Sequence, residues 1–188
     1  YAYNDSDKEN ETWLYLPALG KVKKIAVSQG EGDNTEAASL FGTEISLEDQ
    51  EVGKLNDYTY EIIERGEYKG RPVAVIESTP NADRLSKSSN GKTQTWIDTE
   101  RLVALKVQIF DQQGNMIKRI QAGSIEYINQ TWVAKSLGFM NLVSQRLTNM
   151  KIDKISFGVD IDPEFLTPKA LSDETFREEH MITLRAKS

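Results

Sequence analysis

Hydrophobic and polar positions alternate with a period of two along most of the middle of the chain, the spacing of half-buried strands. Tyr58, Tyr60 and Ile62 alternate with Thr59 and Glu61. Tyr68-Lys69-Gly70 predicts a tight turn, and residues 71–79 (RPVAVIEST) a β-branched strand ended by Pro80. Asn90-Gly91 is the best turn signal of the polar stretch 81–92, and a short strand centred on Trp96 follows. Val103, Leu105, Val107 and Ile109 fall on one face, with Lys106 and Gln108 on the other. A turn at 111–115 returns the chain through 116–122 and 124–128, and Asn129-Gln130 turns it again. Thr131 to Met140 puts Val133, Leu137 and Phe139 on one side, and Arg146 to Val159 reads as a long strand with a bulge near Asp153-Lys154. This pattern predicts a consecutive antiparallel meander.

The periodicity differs at the two ends. Thr12 to Ile25 (TWLYLPALGKVKKI) predicts two short strands, broken at Pro17 because proline lacks a donor, and turned near Gly20. Residues 1–11 and 28–38 are polar and predict loops. Ser46 with Asp49 three residues on predicts an N-capped helical turn. Helical signal is otherwise confined to a turn at 163–166 and a tail placing Phe176, His180, Met181 and Leu184 on one side. The fold class is therefore mainly β (α+β). A curved sheet with so few helices hides its apolar face either by curling round its own side chains or by holding a ligand.

Composition narrows the function. The 188 residues carry a formal net charge of −6, which speaks against a nucleic-acid partner. The length suits one domain, 1–188. Apolar runs stay short of the roughly 18–20 residues of a membrane helix. There is no cysteine, hence no disulfide and no lipidated cysteine within the chain. A start at Tyr-Ala-Tyr, without methionine or signal peptide, reads as a processed or truncated chain.

Several segments together resemble the LolA-like family of outer-membrane lipoprotein-sorting proteins. They are WLYLPALGKVKKI (13–25), FGTEISLED (41–49), DYTYEII (57–63), GRPVAVIESTP (70–80), WIDTE (96–100), LVALKVQIFDQQGNMIK (102–118), IEYINQTWVA (125–134) and IDPEFLTPKAL (161–171). The resemblance implies an incomplete β-barrel: a curved antiparallel sheet with a few short helices and an apolar concavity. It also implies a periplasmic location and a cargo of lipid or lipoprotein acyl chains. By this resemblance the chain is expected to lack the family's N-terminal helix and first strand or strands, and residues 172–188 to extend past the family's usual end. Some relatives look like partners of RND-type lipid exporters. The rival expectation is accordingly an accessory module that docks an inner-membrane exporter and carries no ligand.

Two groups of residues are candidates for a lipid cavity. Trp13 and Tyr15 either border its mouth or close the core with an aromatic strand. Val103, Leu105, Val107, Ile109, Val133, Leu137 and Phe139 either line it or form an ordinary sheet core. Met116, Met140 and Met150 either give an adaptable lining or fill gaps. Lys21, Lys23, Lys24 and Arg65 face anionic headgroups or simply solvent. Asp160, Asp162 and Glu164 have the alternate spacing of oxygen ligands, but the glycine turn and distal glutamate of a calcium loop are missing, so no metal is expected. Glu44, Glu48, Asp49 and Glu51 read as a cluster at a helix end. His180 is the single histidine, and no nucleophile elbow, phosphate loop or H-E-x-x-H motif is present, so neither an enzyme nor a cofactor is expected.

Overall fold

The computed structural model describes residues 11–25, 39–46, 48–50 and 53–187. Residues 1–10 of the loop expected at 1–11, the loop expected at 28–38, and Glu51 lie outside the described residues. In chain order the elements are β1 (Thr12–Leu16), β2 (Lys21–Ile25), β3 (Tyr58–Tyr68), β4 (Arg71–Pro80), α1 (Ala82–Leu85), β5 (Asn90–Asp98), β6 (Val103–Asp111) and β7 (Met116–Ala122). They continue with β8 (Ile125–Ile128), β9 (Thr131–Ala134), β10 (Ser136–Asn141), β11 (Arg146–Lys151), α2 (Pro168–Ser172) and α3 (Glu174–Lys187). These elements gather into two compact units. One holds β1, β2 and the C-terminal helices; the other holds β3 to β11 and α1.

In the first unit β1 and β2 pair as the sequence predicts. A 3-10 turn begins at Pro17, and Gly20 takes a positive φ of 58° that a side chain would resist. Lys24 lies opposite Trp13, with its ammonium 5.6 Å from the indole centroid, and also pairs with Glu11. The Arg177 guanidinium of α3 stands 5.9 Å from the Tyr15 ring. His180 stacks on Phe165 at 5.7 Å and packs against Phe176 at 4.0 Å, which fixes it in an aromatic cluster. Asp162 caps the turn at Pro163–Leu166 by accepting from the Glu164 N–H at 2.9 Å.

The second unit is built on a seven-stranded antiparallel sheet in the order β11-β10-β7-β6-β5-β4-β3. It ends at β11 and β3 and so does not close into a barrel. The turns at Lys69-Gly70 and Asn129-Gln130 put consecutive residues at positive φ, as two-residue hairpins require. Three expectations are corrected. The run 131–140 is two strands, because the chain leaves the β8–β9 hairpin at Lys135, whose N–H bonds to Ser124 O at 2.8 Å, and rejoins the sheet beside β7 as β10. The long final strand stops at Lys151. Asn90-Gly91 is a bulge inside β5 rather than a turn.

Directly paired residues share a face of a sheet. One row therefore runs Ile62, Ile76, Thr95, Val107, Ile120, Phe139 and Thr148. This apolar face holds much of the core, including Ile109 and Phe139, each 5% exposed. On the opposite face Trp96 pairs with Lys106 and Lys106 with Gln121. There Gln121 Nε2 donates to the Tyr68 hydroxyl at 3.1 Å. Tyr68 is on β3 and Gln121 on β7, four strands away, roughly 19 Å in a flat sheet. The sheet must curl for these side chains to meet.

Candidate functional site

The apolar face is partly covered by residues 39–46 and 48–50, whose local fold follows from their capping residues. The Ser46 N–H donates to Asp49 Oδ2 at 2.8 Å, and the Asp49 N–H donates to Ser46 Oγ at 3.2 Å. This is the reciprocal arrangement the sequence predicts, closing a 3-10 turn at Glu48–Gln50. The acidic residues of this segment do more than cap. Asp49 pairs with Lys118 of β7 at 2.6 Å. Glu44 pairs with Arg146 of β11 at 2.8 Å and accepts from Asn141 Nδ2 at 2.7 Å. Glu48 pairs with Arg84 at 3.2 Å and accepts from the Ser88 hydroxyl.

Arg84 is presented by α1. Asn81 caps that turn by accepting from the Arg84 N–H at 2.8 Å, and its own Nδ2 donates to Asn56 O at 3.1 Å. The Arg84 guanidinium also donates to the Tyr58 hydroxyl at 3.1 Å. Gln112, in the β6–β7 turn, donates to Leu85 O and Ser88 O at 3.1 and 2.9 Å and ties that turn to α1.

Between these walls lies a cleft of about 300 Å³. Its floor is Val107, Ile109 and Ile120, from β6 and β7. Tyr58, Tyr60 and Pro80 also line it, and Glu48, Asp49, Arg84, Ser88, Asn90 and Lys92 add polar groups to the lining. Desolvation, reinforced by the nearby Tyr58 and Asp57 charges, raises the Tyr60 phenol above its ordinary value. Hydrogen bonds from Gln94 and Lys92 lower the Glu77 carboxyl on the neighbouring strands.

The structure brings together some of the residues singled out from sequence and separates others. Val107 and Ile109 are in the cleft floor. Leu137 and Phe139 share their face, opposite Ala122 and Ile120. Leu105 is buried at a bulge: Trp96 pairs with Lys106 but Ile97 with Ala104, which leaves Leu105 as the extra residue. That bulge shifts the phase, so Val103 pairs with Asp98 and leaves the Val107 row. Val133 is on β9, in the separate β8–β9 hairpin, and is off the large sheet. Trp13 and Tyr15 are on β1, in the other unit. Ile120, Tyr58, Tyr60 and Arg84 were not singled out. The Ile120 position was within reach, since the turn at 111–115 sets it across from Val107.

A protein-family model described as "Uncharacterized protein" matches residues 2–173. Among curated proteins none matches. Among solved structures, a putative outer membrane lipoprotein-sorting protein domain from Vibrio parahaemolyticus is similar at TM-score 0.76 and 22% identity. The match covers 88% of this chain and 67% of that one. A DUF1329 family protein from Desulfovibrio piger is similar at TM-score 0.80 and 18% identity, over 90% of this chain and 68% of the other. A LolA superfamily protein from Nitrosomonas europaea is similar at TM-score 0.54 and 13% identity, over 84% and 66%. The chain belongs to the family that the matching model describes, and its fold is that of the LolA-like lipoprotein-sorting domains.

Proposed function

We propose that this protein is a periplasmic carrier that shields acyl chains of a lipid or lipoprotein on the apolar face of its open sheet, on the way to the outer membrane. The observation that carries this reading is the cleft itself. Val107, Ile109 and Ile120 make an apolar floor on the sheet, with polar groups in the rest of the lining, on a LolA-like fold. Burial of an acyl methylene is worth about 0.8 kcal/mol, so an apolar floor of this kind binds without cofactor or polar code. Native mass spectrometry of gently purified protein is expected to find bound lipid, and Val107→Asp to abolish it. Protein that carries no lipid, or lipid retained by Val107→Asp, would sink the reading.

One observation favours the docking alternative. The edge strand β3 exposes Tyr60, Ile62 and Ile63 at 50%, 48% and 43%. An edge of this kind offers unpaired backbone groups to a partner such as an inner-membrane exporter. Capture of such an exporter by lipid-free protein, lost on Ile62→Lys, would favour docking over carriage.

A further inference from the structure

We propose that Lys106, Arg119 and Tyr68 form a binding site for a phosphate-type oxyanion, on the face of the large sheet turned away from the cleft. The site is independent of the carrier reading and does not share its fate. Lys106 and Gln108 alternate with Val107 on β6 and so share the face opposite to it. Lys106 pairs with Gln121 of β7, and Gln108 with Arg119. Lys106 and Arg119 are therefore diagonal neighbours on that face, within reach of each other's long side chains. Their charges do interact: burial first, and Arg119 second, lower the proton affinity of Lys106.

Each of the three groups has donors left over. Lys106 is half-buried, with its ammonium 3.2 Å from the Trp96 ring centroid and 5.0 Å from that of Tyr68. The rings steady the cation in place without neutralising it. Glu64 is the acid whose charge reaches it, yet neither Lys106 nor Arg119 forms an ion pair among the described residues. Arg119 is exposed, so its guanidinium is open to a ligand. The Tyr68 hydroxyl accepts from Gln121 Nε2 at 3.1 Å, which leaves its own proton to donate. Two like charges kept side by side cost stability that a bound anion returns. Phosphate suits this set better than a carboxylate does. Its several oxygens can meet an ammonium, a guanidinium and a hydroxyl at once, with the guanidinium taking two of them side by side.

The test is a titration of the whole, isotope-labelled protein with inorganic phosphate, chloride being withdrawn to hold the ionic strength constant. The indole N–H of Trp96 and the side-chain amide of Gln121 are followed by NMR. Both are expected to shift along one saturating curve. Arg119→Gln, an exposed change that leaves the fold alone, is expected to weaken the Kd by roughly tenfold, as loss of a charge-assisted hydrogen bond does. Lys106→Met is expected to remove saturation altogether. Glycerol phosphate is then compared with inorganic phosphate, since it carries the headgroup chemistry of a lipid without acyl chains for the cleft. Tighter binding of glycerol phosphate supports the site and assigns it to a lipid headgroup; equal or weaker binding supports it and assigns it to free phosphate. Shifts that never saturate, acetate binding as tightly as phosphate, or a Kd unchanged in Arg119→Gln would each overturn the site, and none of them touches the carrier reading.

Discussion

Asp49 and Lys118 lie 69 residues apart in sequence and meet at 2.6 Å, with the carboxylate side chain only 2% exposed. Lys118 belongs to the apolar face, paired with Ile109 on one side and Asn141 on the other. An unpaired ammonium there would carry a heavy desolvation cost. Asp49 and the Ser46 hydroxyl, 3.3 Å from the same Nζ, remove that cost and at the same time hold the covering segment down.

Breaking this pair from one side leaves a buried charge without compensation. Lys118→Met is expected to destabilise the protein by about 3–5 kcal/mol. The double change Lys118→Met with Asp49→Asn is expected to recover most of that loss, since neither charge then remains. Urea denaturation measures both. A double variant no more stable than Lys118→Met would mean that the loss comes from packing and not from the orphaned carboxylate.

Asp98 is the most enclosed acid among the described residues, with a side chain 0% exposed. It accepts from Arg71 Nε at 2.8 Å and from the Glu100 and Arg101 N–H groups at 3.0 Å each. Arg71 first, and the backbone donors after it, outweigh burial and hold the carboxyl down to about 2. A depressed folded value means that the unfolded chain takes up the proton first as pH falls. The stabilisation is therefore complete above about pH 4 and is lost between pH 4 and 2. Its size is about 2 kcal/mol. Asp98→Asn is expected to be less stable than wild type at pH 7, with the gap shrinking by that amount on acidification. A gap independent of pH would exclude the ionised carboxylate as its source.

The fold class was legible because a period of two survives in most strands, and because the Lys69-Gly70 and Asn129-Gln130 turns are signalled by local residues. What escaped lies where one residue breaks the period. The extra residue Leu105 in β6 sends Val103 to the other face, and pattern alone cannot tell a bulge from an uninterrupted strand. The split at Lys135 is a long-range choice, since Ser124 O holds that residue and β7 recruits β10. The polar part of the cleft lining was hidden for a related reason. Glu48 and Arg84 become partners only through the fold, 36 residues apart. A cluster of acids read locally suggested a helix end, whereas their main partners lie on α1, β7 and β11.

Gly91 carries a prediction of its own. A Cβ there would stand 2.3 Å from Asp111 O and 2.8 Å from Gln112 Cα, both backbone atoms that cannot turn aside. The glycine permits the β5 bulge between Asn90 and Lys92 to close against β6. Gly91→Ala is expected to cost about 1–3 kcal/mol through forced backbone shifts. It should also perturb the bulge, seen as chemical-shift changes at Asn90 and Lys92 relative to wild type. A neutral substitution would mean that the strands part freely at this end.

Lys106 and Trp96 supply a spectroscopic handle on the face away from the cleft. The ammonium is 3.2 Å from the indole centroid and 5.0 Å from the Tyr68 ring centroid. Burial first, then the Arg119 charge, lowers its proton affinity below the ordinary lysine value. With the folded value depressed, the unfolded chain holds the proton to higher pH. Stability from this residue therefore rises as pH climbs from the folded value toward about 10.5, the reverse of an ordinary salt-bridged lysine. In a background of Trp13→Phe and Trp132→Phe, Trp96 emission is expected to titrate with a midpoint below about 10.5 as the cation leaves the ring. Lys106→Met should remove that transition while the protein stays folded. A transition that persists in Lys106→Met would assign it to another group, and the cation over the indole would then have no part in it.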